Sequence, residues 1–395
     1  MTMEYFETLT QSLQAQNRAL PTLLIDLDNL DQNIAAVLAN FPKQKGLRWV
    51  VKSLPSPELL HYIMKRSQTE RLMVFHQPFL TALVPLLSET ADVLLGKPMP
   101  VTTAEYFYTN LPETATFNAV SQVQWLIDTE ERLIAYANLA EKLGQKLRVS
   151  LEIDIGLHRG GFSFKALFSA LHTLQSYQHC LEFSGFMGYD PHVVKLPKIL
   201  RSASKAFSMA NTEYKRCIDL VTSQFPELCN SELVFNGGGS PTLELHKTGH
   251  TVLNEIAVGS CILKPSTFDI PSLTAYQPAC FIATPILKKL NGTRIPAIEF
   301  LSGLMGFLKK KLGRSYFIYG GYWKANYCYP PDATENGLFG ASTNQSLVNT
   351  TSDLAVGDYV FLRPSQSEFV LLQFGQLQPV RNQLLQAPWN LLKNY

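Results

Sequence analysis

The chain has 395 residues, of which 46% are hydrophobic and 17% charged. This length exceeds an ordinary single domain, and the apolar content excludes a disordered chain. The 34 basic residues against 32 acidic ones give a net charge of +2, so no basic surface for nucleic acid is expected. A charged fraction below the roughly 25% of typical soluble chains favours an oligomer with part of its surface covered.

Membrane and secretion signals are not predicted. The most apolar stretch, residues 72–87, is interrupted by His76, Gln77, Pro78 and Pro85. The N-terminal residues lack the basic start and apolar segment of a secretion signal. The six cysteines are scattered, without Cys-x-x-Cys spacing. These features predict a cytoplasmic protein with reduced thiols.

Between residues 21 and 270, short β-rich runs alternate with helical patterns. LLIDL is the first run, and TFNAV near residue 116 is another. One helical pattern covers residues 130–145 after a capping Thr129. Such alternation requires parallel strands with crossover helices, and the number of repeats predicts an α/β fold, a (β/α)8 TIM barrel over residues 21–270.

After residue 270 the helical periodicity fades. The runs RSYFIYGG, DYVFLRP and EFVLLQFG, punctuated by Gly and Pro, predict a smaller all-β domain over residues 271–395. We place residues 1–20 with this second domain.

Candidate functional residues follow the predicted barrel strands, where barrel active sites are built. Lys52 closes an apolar run, and a desolvated lysine there can act as a nucleophile or Schiff-base amine. The alternative is a surface lysine that caps the strand. Arg159 lies in the glycine-rich stretch EIDIGLHRGG, which would place it over the barrel mouth or in an ordinary turn.

Two further glycine-rich loops, NGGGSPT and NEIAVGS, end at Thr242 and Ser260. Successive backbone N–H groups in such loops can cradle a phosphate, and the last two loops of a barrel commonly do so. The stretch GYDPH supplies Tyr189 and His192 as an acid/base pair or as packing residues. His246 and His250 have the spacing of a metal pair, but the intervening glycine favours a solvated helix end, so no metal site is predicted there.

Taken in order, these motifs resemble the fold type III, alanine-racemase-like enzymes that use pyridoxal 5′-phosphate. The motifs are the lysine after the first strands, E-x-D-x-G-x-x-R-x-G, G-x-M-x-Y-x-x-H, G-G-G-S-P-T and N-E-x-x-x-G-S. Within that family the sequence looks most like the D-threonine aldolase and D-serine dehydratase branch, over about residues 21–260.

The resemblance implies a homodimer whose active sites lie between the barrel of one subunit and the β domain of the other. It implies that Lys52 forms the internal aldimine and that Arg159 contacts the cofactor ring, with Tyr189 beside it. The implied cofactor-binding residues are Lys52, Arg159, Tyr189, His192, Gly238, Gly239, Gly259 and Ser260.

Departures from the family pattern bear on the reaction. The aldolase and dehydratase branch binds a divalent metal through a His and a Cys, and Gln366 and Glu368 stand at those positions here. Ala257 stands where racemases carry an arginine that contacts the pyridine nitrogen. Arg363 and Gln366 are candidates for binding the substrate carboxylate or hydroxyl, with an exposed loop as the alternative.

Three interpretations stay open, with Lys52, Tyr189 and Tyr322 as candidate catalytic residues. The first is a metal-independent lyase, of the aldolase or deaminase type, acting on a D-amino acid. The second is an amino-acid racemase or epimerase in which Tyr322 of the partner subunit is the second acid/base. The third is a protein that binds the cofactor without turnover.

Overall fold

The computed structural model describes residues 1–17, 19–112, 116–195, 202–293 and 314–393. The chain divides into two compact units. The barrel unit comprises Val37–Cys261 with Leu392–Tyr395, and the sheet unit comprises Met1–Ala36 with Ile262–Leu391. None of the helices within the described ranges combines the length and apolar content needed to cross a membrane.

The N-terminal segment contributes to the sheet unit. It contains α1 (Met3–Ala15), β1 (Thr22–Asp26) and the start of α2 (Leu27–Leu38). Thr2 caps α1 by accepting a hydrogen bond from the Tyr5 N–H group. The apolar face of α1 packs into a core shared with strands of the sheet and formed in part by Phe6, Leu9, Leu13, Phe281 and Phe361.

In the described part of the chain, eight parallel strands close a barrel, each paired with the next and the last with the first. They are β2 (Gly46–Val50), β3 (Arg71–Val74), β4 (Asp92–Leu95), β5 (Val123–Ile127), β6 (Leu147–Glu152), β7 (Leu181–Gly188), β8 (Val234–Gly237) and β9 (Glu255–Val258). Every residue of β5 is buried, as expected for parallel strands covered by helices.

Helices connect these strands. They are α3 (Pro57–Ser67), α4 (Gln77–Leu83), α5 (Val101–Thr109), α6 (Ala119–Gln122), α7 (Glu130–Leu143), α8 (Phe164–Ser176), α9 (His192–Lys195), α10 (Ala203–Gln224) and α11 (Leu243–Thr248). The predicted helix after Thr129 is confirmed as α7. The Thr129 hydroxyl caps it by accepting a hydrogen bond from the Arg132 N–H group, and Gly144, with φ +63°, ends it.

The sheet unit is mainly antiparallel. Its later elements are β10 (Cys280–Leu290), β11 (Ser315–Tyr319), β12 (Ala325–Tyr329), β13 (Thr334–Glu335), β14 (Gln345–Asn349), β15 (Tyr359–Pro364), α12 (Ser367–Leu371), β16 (Gln376–Arg381), β17 (Leu384–Leu385) and β18 (Trp389–Asn390). The strands run in the order β13-β14-β11-β10-β1-β16-β17, and β15 pairs with both β10 and β12. The predicted fold class, a TIM barrel followed by a smaller β domain, is confirmed.

Three sequence runs form structures other than those predicted. LLIDL is β1, which pairs with β10 and β16 in the sheet unit instead of opening the barrel. TFNAV is not a strand, because Asn118 caps α6 through the Val120 and Ser121 N–H groups. EFVLLQFG begins as α12, which buries Val370 and Leu371. The barrel unit therefore starts after residue 36, whereas the sequence pattern places its start at residue 21.

A buried ionic network fills the end of the barrel where the strands begin. Arg48 donates to both carboxylate oxygens of Glu255 and to Asp92. Arg71 also donates to Glu255, and Arg148 donates to Asp92. The opposite end, where the strands terminate, carries the loops that contain the predicted site residues.

Candidate active site

Lys52 lies in a single 3-10 turn, Val51–Ser53, that directly follows β2. Its neighbours Val51 and Ser53 are buried, while Lys52 is half-buried. The Lys52 Nζ atom lies 4.3 Å from the centroid of the Phe75 ring, which follows β3. An aromatic face attracts an ammonium group, so this contact orients the lysine at the barrel mouth.

The loop after β6 places Arg159 near Tyr189. The guanidinium carbon of Arg159 lies 5.3 Å from the centroid of the Tyr189 ring. The Asp154 carboxylate shapes this loop by accepting hydrogen bonds from the Gly156 and His158 N–H groups, each at 3.0 Å. The loop after β6 thus places the Arg159 guanidinium beside Tyr189, the residue that follows β7.

Glu152, at the end of β6, has a perturbed acidity. Burial raises the pKa of the Glu152 carboxyl, and the negative charge of Asp128 raises it further. The positive charge of Arg159 opposes this shift. The electrostatics of Glu152 are therefore linked to the arginine at the barrel mouth.

Tyr189 and His192 lie against the glycine loops of neighbouring strands. A Cβ atom built on Gly239 would lie 3.3 Å from Cε2 of Tyr189, and one built on Gly156 would lie 3.4 Å from Nε2 of His192. The absence of side chains at these glycines lets the backbone approach both rings closely. The structure thus brings together the loops after β6, β7 and β8.

The two predicted phosphate loops meet at Ser240. Its Oγ accepts hydrogen bonds from the N–H groups of Gly259 at 3.3 Å and Cys261 at 3.0 Å. The Ser260 hydroxyl donates to Oγ of Ser53 at 2.8 Å, in the same turn as Lys52. The loops after β8 and β9 are therefore connected to the turn that carries the lysine.

Gly238 and Gly259 are each required by the geometry. Gly238 has φ +76°, a left-handed conformation that favours glycine. A Cβ atom on Gly259 would lie 2.9 Å from Cβ of Val50, which is closer than packed side chains tolerate. Gly259 thus allows its loop to contact the end of β2.

Other predicted residues lie in the sheet unit. Arg363 donates hydrogen bonds to both carboxylate oxygens of Asp269, each at 2.8 Å, and to the carbonyl oxygens of Lys264 and Pro265. The Arg363 guanidinium is therefore held within this unit. A substrate carboxylate would compete there with Asp269.

Gln366 and Tyr322 belong to neighbouring segments of the sheet unit. Oε1 of Gln366 accepts a hydrogen bond from Nζ of Lys324 at 2.8 Å. The N–H and hydroxyl groups of Ser365 both donate to the carbonyl oxygen of Lys324. Tyr322 lies two residues earlier, with φ +55° and 70% of its surface exposed.

The interpretation of His246 as part of a solvated helix end is wrong. His246 is only 3% exposed, and its Nε2 atom lies 2.8 Å from Oδ2 of the buried Asp190. Leu243 and His246 share the buried face of α11, because residues three apart lie on the same side of a helix. That spacing was the available sequence signal for His246. Asp190 and Ser240 also belong to the site and were not singled out from the sequence.

One group of possible metal ligands within the described residues lies away from this site. Ligand atoms of Glu141, His179 and Cys180 lie within 4.8 Å of one another. Nε2 of His179 is 3.0 Å from Oε1 of Glu141, and the Cys180 thiol donates to the carbonyl oxygens of Ala137 and Tyr177. These contacts account for the three side chains.

The family model described as "Alanine racemase, N-terminal domain" matches residues 25–266. The match covers more than half of the chain, and the chain belongs to this family. Members are fold type III enzymes that depend on pyridoxal 5′-phosphate, and the chain is accordingly assigned as a pyridoxal-phosphate-dependent enzyme. A search of curated protein sequences found no match.

Solved structures share the fold across nearly the whole chain. D-threo-3-hydroxyaspartate dehydratase from Delftia sp. HT23 is 15% identical, with a TM-score of 0.71 and coverage of 95% of this chain and 98% of that one. D-threonine aldolase from Filomicrobium marinum is 14% identical, with a TM-score of 0.69 and the same coverage. Alanine racemase from Bacillus anthracis is 14% identical, with a TM-score of 0.69 and coverage of 94% and 98%. At these identities the likeness establishes the fold.

The barrel-mouth residues fit this cofactor. The N–H groups of Gly259 and Cys261 both point to Oγ of Ser240, so these backbone donors are aligned on one acceptor, as donors to a phosphate are. The same loop is connected to the lysine, because the Ser260 hydroxyl donates a hydrogen bond to Ser53, the residue after Lys52. Backbone donors suited to a phosphate and a lysine amine suited to an aldehyde thus lie on connected segments at the barrel mouth.

Proposed function

We propose that this protein is a pyridoxal-phosphate-dependent lyase, of the aldolase or deaminase type, that acts on a D-amino acid without a divalent metal. The observation that carries the proposal is the connection of the turn that holds Lys52 to both glycine loops, through the Ser260–Ser53 hydrogen bond and the Cys261–Ser240 hydrogen bond. Similarity of fold to a D-threonine aldolase and to a D-threo-3-hydroxyaspartate dehydratase supports the lyase class.

The chain's own residues divide the work of holding the cofactor. Gly238, Gly239, Gly259 and Ser260 would hold its phosphate through backbone N–H groups and a hydroxyl. Arg159 and Tyr189 would contact its ring, with His192 on the same side. When bound, the cofactor supplies an electron sink for negative charge at the substrate α-carbon.

Lys52 has two roles in the proposal. Its amine would hold the cofactor covalently, and as a free base it would accept the proton from the substrate α-carbon. The contact with Phe75 leaves Nζ oriented at the mouth and shields one side from water. Tyr189, beside Arg159, is the second candidate for holding a proton on this side.

Metal independence is supported by the chemistry of the residues around Gln366. An amide oxygen is a weak ligand for the metals that imidazole and thiolate bind. That oxygen accepts a hydrogen bond from the Lys324 ammonium, so a positive charge already stands beside it. A divalent cation placed there would be repelled by this charge.

The substrate-binding candidates remain Arg363 and Gln366. Asp269 holds Arg363, so we propose that Arg363 acts mainly by fixing the end of β15 against residues 264–269. The amide oxygen of Gln366 accepts a hydrogen bond from the Lys324 ammonium. An ammonium has three donors, so Lys324 can hold this amide and still donate to a substrate oxygen. The substrate is a small-molecule amino acid, and no nucleic-acid or membrane partner is proposed.

A racemase or epimerase is the second candidate function. It is favoured by the conformation of Tyr322, which is mostly exposed in a left-handed turn between two strands of the sheet unit. Tyr322 of the partner subunit would supply the second acid/base. This candidate requires a homodimer.

The six cysteines, which all lie in the described residues, are all free. We propose on this ground that the protein works in the reducing cytoplasm.

The first experiment compares visible absorption spectra of the wild type and Lys52→Ala after incubation with pyridoxal phosphate and removal of the unbound cofactor by gel filtration. We expect a yellow band in the wild type that is lost or shifted in the variant, and unchanged in Lys146→Ala, an exposed lysine of the same unit. A wild type that stays colourless contradicts the cofactor assignment of these residues.

The second experiment offers D- and L-amino acids with and without EDTA. The lyase proposal expects cleavage or ammonia release from a D-amino acid at a rate that EDTA does not change. Inversion of configuration without cleavage supports the racemase candidate instead. A bound cofactor with no change in any amino acid supports the non-catalytic interpretation and contradicts both enzymes.

A further inference from the structure

A buried acid–histidine pair lies beneath the loop that follows β8. Nε2 of His246 is 2.8 Å from Oδ2 of Asp190, and both side chains are 3% exposed. The Thr242 hydroxyl donates to the other carboxylate oxygen of Asp190 at 2.9 Å. Both oxygens of Asp190 are therefore used in contacts with the loop and helix that carry the glycines.

His246 extends this connection to the next loop and to the glycines themselves. Its Nδ1 atom is 2.9 Å from Oγ1 of Thr251, in the segment that leads to β9. Its ring packs so closely under Gly238 that a Cβ atom there would lie 3.1 Å from Cδ2 of His246. The imidazole thus supports the loop directly and holds the segments on either side of it.

Asp190 makes the same connection from the other side. It follows Tyr189, whose ring lies against Gly239. Because the two residues are adjacent, the contacts that fix Asp190 also limit the position of the Tyr189 ring. The pair joins the end of β7, the loop after β8 and the approach to β9 into one block.

The energetic cost of the pair implies a purpose beyond packing. Burying a carboxylate is costly unless it is paired and hydrogen-bonded, and a fully satisfied polar network rigidifies its surroundings. Backbone N–H groups bind a phosphate well only if they are already aimed at it before binding. A loop of consecutive glycines has no side chains of its own to supply that rigidity.

We propose that Asp190 and His246 are positioning residues that hold the glycine loop after β8 in the geometry that binds the cofactor phosphate. Neither residue touches the cofactor; both act through Gly238, Gly239 and Thr242. This inference rests on the proposed function, because it concerns the same site.

The test compares the affinities of pyridoxal phosphate and pyridoxal, which lacks the phosphate. In His246→Leu we expect the affinity for pyridoxal phosphate to fall roughly ten- to hundredfold, as when a supporting hydrogen-bonding residue is lost from a binding site. The affinity for pyridoxal should stay within about threefold of the wild type, because no phosphate contact is made. His246→Gln, whose amide can still donate to Asp190, should recover most of the loss.

Tyr214→Phe is the matched control. The Tyr214 hydroxyl is also buried and bonds the carbonyl oxygens of Phe186 and Asn236, in the same two strands but below the loop. We expect this variant to be less stable yet to keep the wild-type ratio of the two affinities. If His246→Leu does not fold, Thr242→Val removes the hydroxyl that bonds Asp190 and serves in the same comparison.

The outcomes separate the inference from the proposed function. Equal losses for both ligands, or no loss for pyridoxal phosphate, would overturn the positioning role. A wild type that binds neither ligand, or binds both equally, contradicts the proposed function and this inference falls with it. A selective loss of affinity for the phosphorylated ligand supports both.

Discussion

The Arg48 guanidinium donates hydrogen bonds to both carboxylate oxygens of Glu255 across the first and last strands of the barrel. The Nε–Oε1 distance is 2.5 Å and the Nη2–Oε2 distance is 2.9 Å, and neither side chain is exposed to more than 1%. Because β2 and β9 must pair to close the barrel, this ion pair spans the closure itself. It forms the floor beneath the candidate active site.

Breaking this ion pair should destabilise the whole barrel. In Glu255→Gln, Arg48 keeps Asp92 but loses its main buried partner, and we expect a loss of about 3 kcal/mol in the free energy of unfolding. Urea unfolding monitored by circular dichroism measures it. Glu141→Gln, which breaks an exposed pair with His179, should cost less than about 1 kcal/mol. Equal costs for the two variants would contradict a structural role for the buried pair.

Asp92 should give the barrel a distinct sensitivity to acid. Burial alone would raise the pKa of the Asp92 carboxyl, but the charges of Arg48 and Arg148 outweigh it and lower the pKa to about 2. A lowered pKa in the folded state means that the carboxylate stabilises the fold fully above about pH 4 and ceases to do so as the pH falls towards 2. The contribution lost over that interval is about 2 kcal/mol.

Urea midpoints measured between pH 5 and pH 2.5 test this expectation. The wild type should lose stability over this range more steeply than Asp92→Asn, which has no carboxyl to protonate. The variant should already be less stable at pH 7, because Arg48 and Arg148 lose their shared partner. Parallel curves for the two proteins would show that Asp92 does not carry the effect.

A methyl group on Gly238 should impair cofactor binding more than folding. Gly238 and Gly144 both have positive φ, so alanine at either position costs about 1 kcal/mol of backbone strain. At Gly144 the new Cβ meets nothing within 4 Å, whereas at Gly238 it lies 3.1 Å from His246 and 3.2 Å from Ile256. We expect Gly238→Ala to bind pyridoxal phosphate at least tenfold more weakly and Gly144→Ala to bind it normally.

Titration of each variant with the cofactor, followed by absorbance, gives these affinities. Thermal unfolding without cofactor gives the strain cost separately. Gly238→Ala binding as tightly as Gly144→Ala would remove the loop after β8 from the proposed phosphate site.

Tyr322 decides between the lyase and racemase candidates. If it is the second acid/base, solvent deuterium should enter the α-position of both enantiomers of the substrate in the wild type and of only one in Tyr322→Phe. Nuclear magnetic resonance of the recovered amino acids measures the label. Tyr106→Phe, which alters another exposed tyrosine, should label as the wild type does. Full racemase activity in Tyr322→Phe would exclude the tyrosine from the reaction.

Much of the site follows from the sequence, because parallel strands end at one edge of a barrel. Lys52, Tyr189 and the glycine loops come directly after apolar runs, Arg159 lies in the loop after another, and the closed barrel brings those strand ends together. Local signals were equally informative for α7, where Thr129 and Gly144 mark the ends. Such features depend on residues close together in the chain.

The features that the sequence left undecided depend on partners far along the chain. LLIDL reads as a barrel strand, but it pairs with β10 and β16, about 250 and 350 residues away. Arg363 reads as available to a substrate until Asp269 is found against it, and His246 reads as exposed until Asp190 is found beneath it. The sequence shows which side chains are charged or polar. It does not show which groups pair with them, because a buried polar side chain needs a partner and that partner is brought close only by folding.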